Sequence, residues 1–134
     1  MGKVVARDLL YKLIFENLFV ESENSVSFNI LLENIDLNES ELDYVKSSYI
    51  DILKNKESII EIIKNNVSSN FNFQRIFKAD LAILILAVYE ITTLKLDYKI
   101  AINEAVKLAK KYSTDKSFAF VNGVLAKIVQ GESV

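Results

Sequence analysis

Apolar residues recur at three- and four-residue steps from the start of the chain. Leu9, Leu10, Leu13, Ile14 and Leu18 share one face, which predicts a first helix over residues 4–20. Residues 21–25 are polar, and a short second helix is expected over residues 26–33. Asn38 followed by Glu41 predicts a capping box: the Asn side chain accepts from a backbone N–H, and the Glu side chain reaches back to the Asn N–H. Leu42, Val45, Tyr49, Ile52 and Leu53 form the buried stripe of the helix that follows. Ile59, Ile60, Ile62, Ile63 and Val67 mark a fourth helix, which runs out into the polar residues Asn65, Asn66 and 68–70.

Residues 77–94 are apolar nearly all round, the pattern of a central helix enclosed by others. A buried strand gives a similar run, but the length, Ala79, Ala82 and Ala87, and the absence of turn residues favour a helix. A sixth helix over residues 100–112 directs Ile102, Ala105, Val106 and Ala109 inward and Glu104, Lys107, Lys110 and Lys111 outward. The last segment carries two opposed signals. Asn122-Gly123 between apolar residues is a strong hairpin signal, whereas Phe118, Val121, Leu125 and Ile128 keep helical spacing, with Thr114 as an upstream N-cap. A glycine inside a helix costs about 1 kcal/mol relative to alanine, so a helical Gly123 predicts close packing against another helix.

Composition narrows the chemistry. The 134 residues are enough for one domain with its own core, 51% are hydrophobic and 25% charged, and Pro is absent. Without Cys there is no disulfide, thiolate metal site or thiol nucleophile. Without His the commonest general base and metal ligand are missing. No Gly-rich phosphate loop is present, so nothing marks an enzyme, and no cofactor is expected. Glu39, Glu41 and Asp43 fan around a helix start, where the positive helix end favours carboxylates, and do not converge as a metal site. Glu90 shares a stripe with Ile83, Ala87 and Leu94, which predicts a partly buried acid that ties its helix to a neighbour. The longest apolar run, residues 81–89, is far below the roughly 20 residues of a membrane span, and no signal peptide is read, so the expected location is the cytoplasm, with no membrane partner.

The net charge of −2 is unevenly spread. Residues 1–70 hold 7 Lys/Arg against 12 Asp/Glu, and residues 71–134 hold 9 against 6, so the second part is basic and could face a phosphate backbone. Lys3, Arg7 and Lys12 make a small basic set at the N-terminus. Phe118 and Phe120 lie about 200° apart around a helix, so they cannot share a buried face. One is expected to be exposed beside Lys116, where an aromatic ring suits the stacking of a single-stranded base.

Ala82-Ile83-Leu84 and Ala87-Val88-Tyr89-Glu90, followed by residues 98–106 (Tyr98-Lys99-Ile100-Ala101-Ile102-Asn103-Glu104-Ala105-Val106) and Phe120-Val121-Asn122-Gly123-Val124-Leu125, together resemble the NusB family of bacterial transcription antitermination factors. The resemblance is strongest from residue 80 to residue 127 and implies an all-α fold of seven helices in two packed three-helix subdomains, residues 1–134 forming one RNA-binding adaptor domain. It also decides for a helix at Asn122-Gly123. The function it implies is binding of boxA RNA from ribosomal RNA leaders together with NusE, a small-subunit ribosomal protein, and suppression of premature termination by RNA polymerase. The family's RNA-binding residues fall on Lys3 and Arg7, with Lys12 as a partial substitute, and on Lys116 and Phe120. Val4 and Val5 stand where basic residues are frequent, and Lys116 where an acidic or polar one is. For NusE, the resemblance implies Phe15 in the first helix and Asp80 at the start of the central helix; Ile85 replaces a commonly basic residue, and Asp97 a usual proline. From a different class, a helical interaction or dimerisation module without RNA binding fits the same periodicities.

Overall fold

The computed structural model describes residues 2–20, 37–67 and 73–132. The helix expected over residues 26–33 lies outside them. Every regular element among the described residues is helical: α1 (Gly2–Val20), α2 (Glu39–Lys54), α3 (Lys56–Asn65), a single 3-10 turn (Phe73–Arg75), α4 (Lys78–Thr92), α5 (Tyr98–Tyr112) and α6 (Ser117–Glu132). The chain divides into two compact units, residues 1–54 and 55–134.

In the first unit α1 packs on α2. Leu9, Leu10, Leu13 and Ile14 are buried, as their spacing requires, together with Ala6 and Tyr11. They face the same class of residue on α2, where Val45, Tyr49 and Ile52 are buried. The start of α2 is the capping box read from the sequence. Asn38 Oδ1 accepts from the Glu41 N–H at 2.8 Å, and Glu41 Oε1 accepts from the Asn38 N–H at 2.9 Å. Two of the backbone donors that every helix start leaves open are thereby satisfied.

In the second unit α4 is the central element and packs against α3, α5 and α6. Every residue from Ala82 to Glu90 is buried, Ile85 among them, which is why the segment shows no polar face. Glu90 is 2% exposed and is not without a partner, as a buried carboxylate requires. The α4–α5 connection turns through Lys95, which adopts a left-handed φ of 56°, while the Leu96 N–H donates to the Glu90 carbonyl at 2.9 Å.

Helix α5 begins two residues before the sequence suggests. Asp97 is its N-cap and accepts from the Lys99 N–H at 2.9 Å, so an acid in place of a proline supplies a different start signal. Ala101, Ala105, Leu108 and Ala109 are its buried residues, while Ile102 and Val106 are half-buried. The inner face is thus rotated towards the alanines, whose small side chains let α4 and α6 approach. Residues 117–132 are helical throughout, with Val121, Val124, Leu125 and Ile128 buried, and no hairpin forms at Asn122-Gly123. Phe118 is 40% exposed and lies outside that face. The close packing expected at Gly123 is also not found among the described residues: a Cβ there would meet none of their atoms within 4 Å.

Candidate nucleic-acid interface

The start of α6 is fixed by a buried carboxylate. Asp80, in the first turn of α4, is 4% exposed. Its Oδ1 accepts from the Ser113 hydroxyl at 2.6 Å and its Oδ2 from the Ser117 hydroxyl at 3.0 Å. The Ser113 and Ser117 hydroxyls are 2.8 Å apart, and the Thr114 hydroxyl is 2.9 Å from that of Ser117. Thr114 therefore joins the α6 start through this hydroxyl cluster instead of acting as a simple N-cap. Asp80 lies at the start of α4 and, through Ser117, meets the start of α6. Both of its oxygens are committed inside the unit. The protein-facing role that the sequence suggests for Asp80 thus meets a buried group that holds the α5–α6 turn.

That turn opens a cavity of about 310 Å³. Ile76, Phe77 and Phe120 give it apolar walls, Asp80, Thr114 and Ser117 a polar side, and Arg75 and Lys116 are the remaining lining residues. Phe77 is 59% exposed and Phe120 half-buried. A second cavity, of about 250 Å³, lies along α6 and has Phe120 as a common wall; Lys127 lines it. Arg75, Lys116 and Lys127 are exposed, and each lacks a carboxylate partner among the described residues. Among the described residues the only acid lining either cavity is Asp80, buried and occupied by hydroxyls. A half-buried aromatic ring flanked by uncommitted cations can hold a polyanion that carries flat apolar groups.

Lys116 and Phe120 are thus brought together, whereas the basic set of α1 belongs to the other unit. Lys12 is exposed and pairs with Asp8 at 3.1 Å; Arg7 is half-buried with a partner of its own. The side chain of Lys3 lies outside the described residues. Phe15, also on α1, is half-buried between Tyr11 and Phe19, with ring centroids 6.1 Å and 5.0 Å away. Phe118, the other aromatic of the pair, lies beneath the Lys110 ammonium, 5.2 Å from the ring centroid.

Sequence reasoning did not find Arg75, Phe77 or Lys127. The signal for the first two is an aromatic–basic interleaving, Phe73-Gln74-Arg75-Ile76-Phe77, just before the central helix. For Lys127 it is the seven-residue step from Phe120, which returns to the same helix face.

The architecture has close counterparts. A model of the NusB family matches residues 3–130. The chain belongs to the NusB family. The transcription antitermination protein NusB of Acetivibrio thermocellus is 38% identical over 131 residues, covering 97% of this chain and 90% of that protein. NusB of Fusobacterium nucleatum is also 38% identical, over 135 residues that cover 95% of this chain and 88% of the relative. Among solved structures, NusB in a crystal of NusB and NusE with double-stranded RNA superimposes with a TM-score of 0.86 at 26% identity, covering 97% of each chain. T. maritima NusB gives a TM-score of 0.83 at 27% identity, covering 95% of this chain and 89% of that one. The all-helical fold is therefore that of NusB proteins. No helix among the described residues is long and apolar enough to cross a membrane.

Proposed function

We propose that this chain is a transcription antitermination factor of the cytoplasm, a non-catalytic adaptor spanning residues 1–134, that binds single-stranded boxA RNA of ribosomal leaders with NusE and delivers the complex to RNA polymerase. The observation that carries the reading is Phe120, half-buried at a cavity whose exposed charges, Arg75 and Lys116, are both cationic. The NusB relative crystallised with NusE and RNA supports the choice of partners. In this reading an unpaired base stacks on Phe120, and Arg75 and Lys116 meet phosphates. Lys3, Arg7 and Lys12 supply further phosphate contacts from α1, and Phe15 contributes to NusE binding. Asp80 serves both partners indirectly, by holding the turn that presents Lys116 and Phe120.

The test is a titration of boxA-type single-stranded RNA, a scrambled strand and a duplex, with and without NusE, for the parent and for Phe120→Ala. The parent is expected to prefer the boxA strand and to bind it more tightly with NusE. Losing the stack should weaken binding by about 1–3 kcal/mol while leaving the salt dependence in place. Salt-independent binding together with an unaffected Phe120→Ala variant would select the helical interaction module instead.

A further inference from the structure

Gly123 is unexplained by the packing among the described residues. It lies in the interior of α6, where glycine is the poorest residue after proline. Its φ is not positive, so no turn requires it. Among the described residues a Cβ there would meet nothing within 4 Å, so no described helix requires it either. What remains is close approach of something from outside, the other circumstance in which a bare backbone is useful.

The surroundings indicate what approaches. Phe120, Gly123 and Lys127 fall at steps of three and four, on one stripe of α6 that rises about 10 Å. Gly123 and Lys127 line the second cavity, with Val67 and Val124 as apolar walls, and Phe120 separates it from the first. Lys127 is exposed and without a carboxylate partner among the described residues, so the charge at this end of the stripe is positive and uncommitted. An apolar peptide would fill the walls but gain nothing from Lys127 or from continuity with Phe120. A nucleic-acid strand uses all three.

We propose that the second cavity is an additional nucleotide subsite: the RNA strand that stacks on Phe120 continues along α6, crosses the bare backbone at Gly123 and sets a phosphate on Lys127. This extends the RNA-binding reading above and rests on it. Its consequence is a longer footprint than the Phe120 cavity alone accommodates, with at least one nucleotide held by α6 itself.

The experiment compares the parent, Gly123→Leu, Lys127→Gln and Phe120→Ala in the full-length chain, using a boxA-type RNA and a nested series shortened from each end. Leucine is a far better helix former than glycine, and the space at residue 123 is open, so Gly123→Leu should unfold at a urea concentration no lower than the parent. It should nonetheless bind the full RNA at least tenfold more weakly, because its side chain occupies the subsite. Lys127→Gln should lose several-fold in affinity and show a shallower salt dependence. For RNAs shortened past the subsite on one end, both variants should match the parent, while Phe120→Ala remains impaired. Parent-like binding of the full RNA by Gly123→Leu and Lys127→Gln, with Phe120→Ala impaired, would overturn the subsite and leave the RNA-binding reading intact. Failure of the parent to bind any RNA would overturn both. Loss of NusE binding with unchanged RNA affinity in the two α6 variants would assign the cavity to a protein partner and likewise overturn the proposal.

Discussion

Asp80 shows how one side chain can matter to a surface it does not present. Its carboxylate accepts two hydroxyls, from Ser113 and Ser117, and hydrogen bonds to a buried charged group are stronger than neutral ones. Asp80→Asn keeps the shape but removes the charge and adds donors where hydroxyls already donate. It should lower stability to urea by about 1–3 kcal/mol and weaken RNA binding only through the position of the α5–α6 turn. Asp80→Lys would bury an uncompensated cation and should unfold the second unit, so charge reversal there cannot report on a partner contact. These roles were unequally legible in the sequence. The two-residue step between Phe118 and Phe120 dictated that one ring leave the core face, and both are at least partly uncovered. The role of Asp80 depends on hydroxyls 33 and 37 residues away. Arg75 and Phe77 reach Phe120 only once the start of α4 is set beside that of α6. No local pattern encodes such convergence.

The start of α2 was readable because its signal is local, whereas the equally local Asp97 cap of α5 was missed. The Asn38–Glu41 box is satisfied by residues three apart, and its bonds are those the sequence implied. Asn38→Ala should therefore lower stability by about 0.5–2 kcal/mol, measurable by urea unfolding, with no effect on RNA affinity. The facing of α5 was less legible: Ala, Ile and Val all look apolar in a periodicity argument, and only packing chooses the alanines for the closest contact. Helix α6 gives the opposite lesson. Asn122-Gly123 carried a hairpin signal, yet Val121, Val124, Leu125 and Ile128 bury a helical stripe that outweighs it. Because no atom of the described residues would meet a Cβ at residue 123, Gly123→Ala should raise stability by about 0.5–1 kcal/mol. A gain in urea midpoint without a change in m-value would confirm that stability itself has risen.

At the scale of the whole molecule, a net charge of −2 conceals a basic second part, and the uncommitted cations of the candidate interface, Arg75, Lys116 and Lys127, all lie within it. Three neutralised phosphates on a single strand imply a log–log salt slope of roughly −2. Replacing all three cations by Gln should flatten the slope nearly to whatever the α1 residues contribute. A slope unchanged by that triple replacement would remove these cations from the interface. The hydroxyl cluster around Asp80 has a kinetic consequence as well. Because serines satisfy the buried carboxylate, no lysine or arginine among the described residues is drawn inward to pair with it, and the nearby cations remain available to a polyanion at a distance. Arrival of the strand should thus be steered by charge and slow as salt rises, whereas its departure is governed by the Phe120 stack. Stopped-flow measurements should find the charge variants slower to associate and Phe120→Ala quicker to dissociate, so that speed of capture and length of residence are set by separate residues of one small surface.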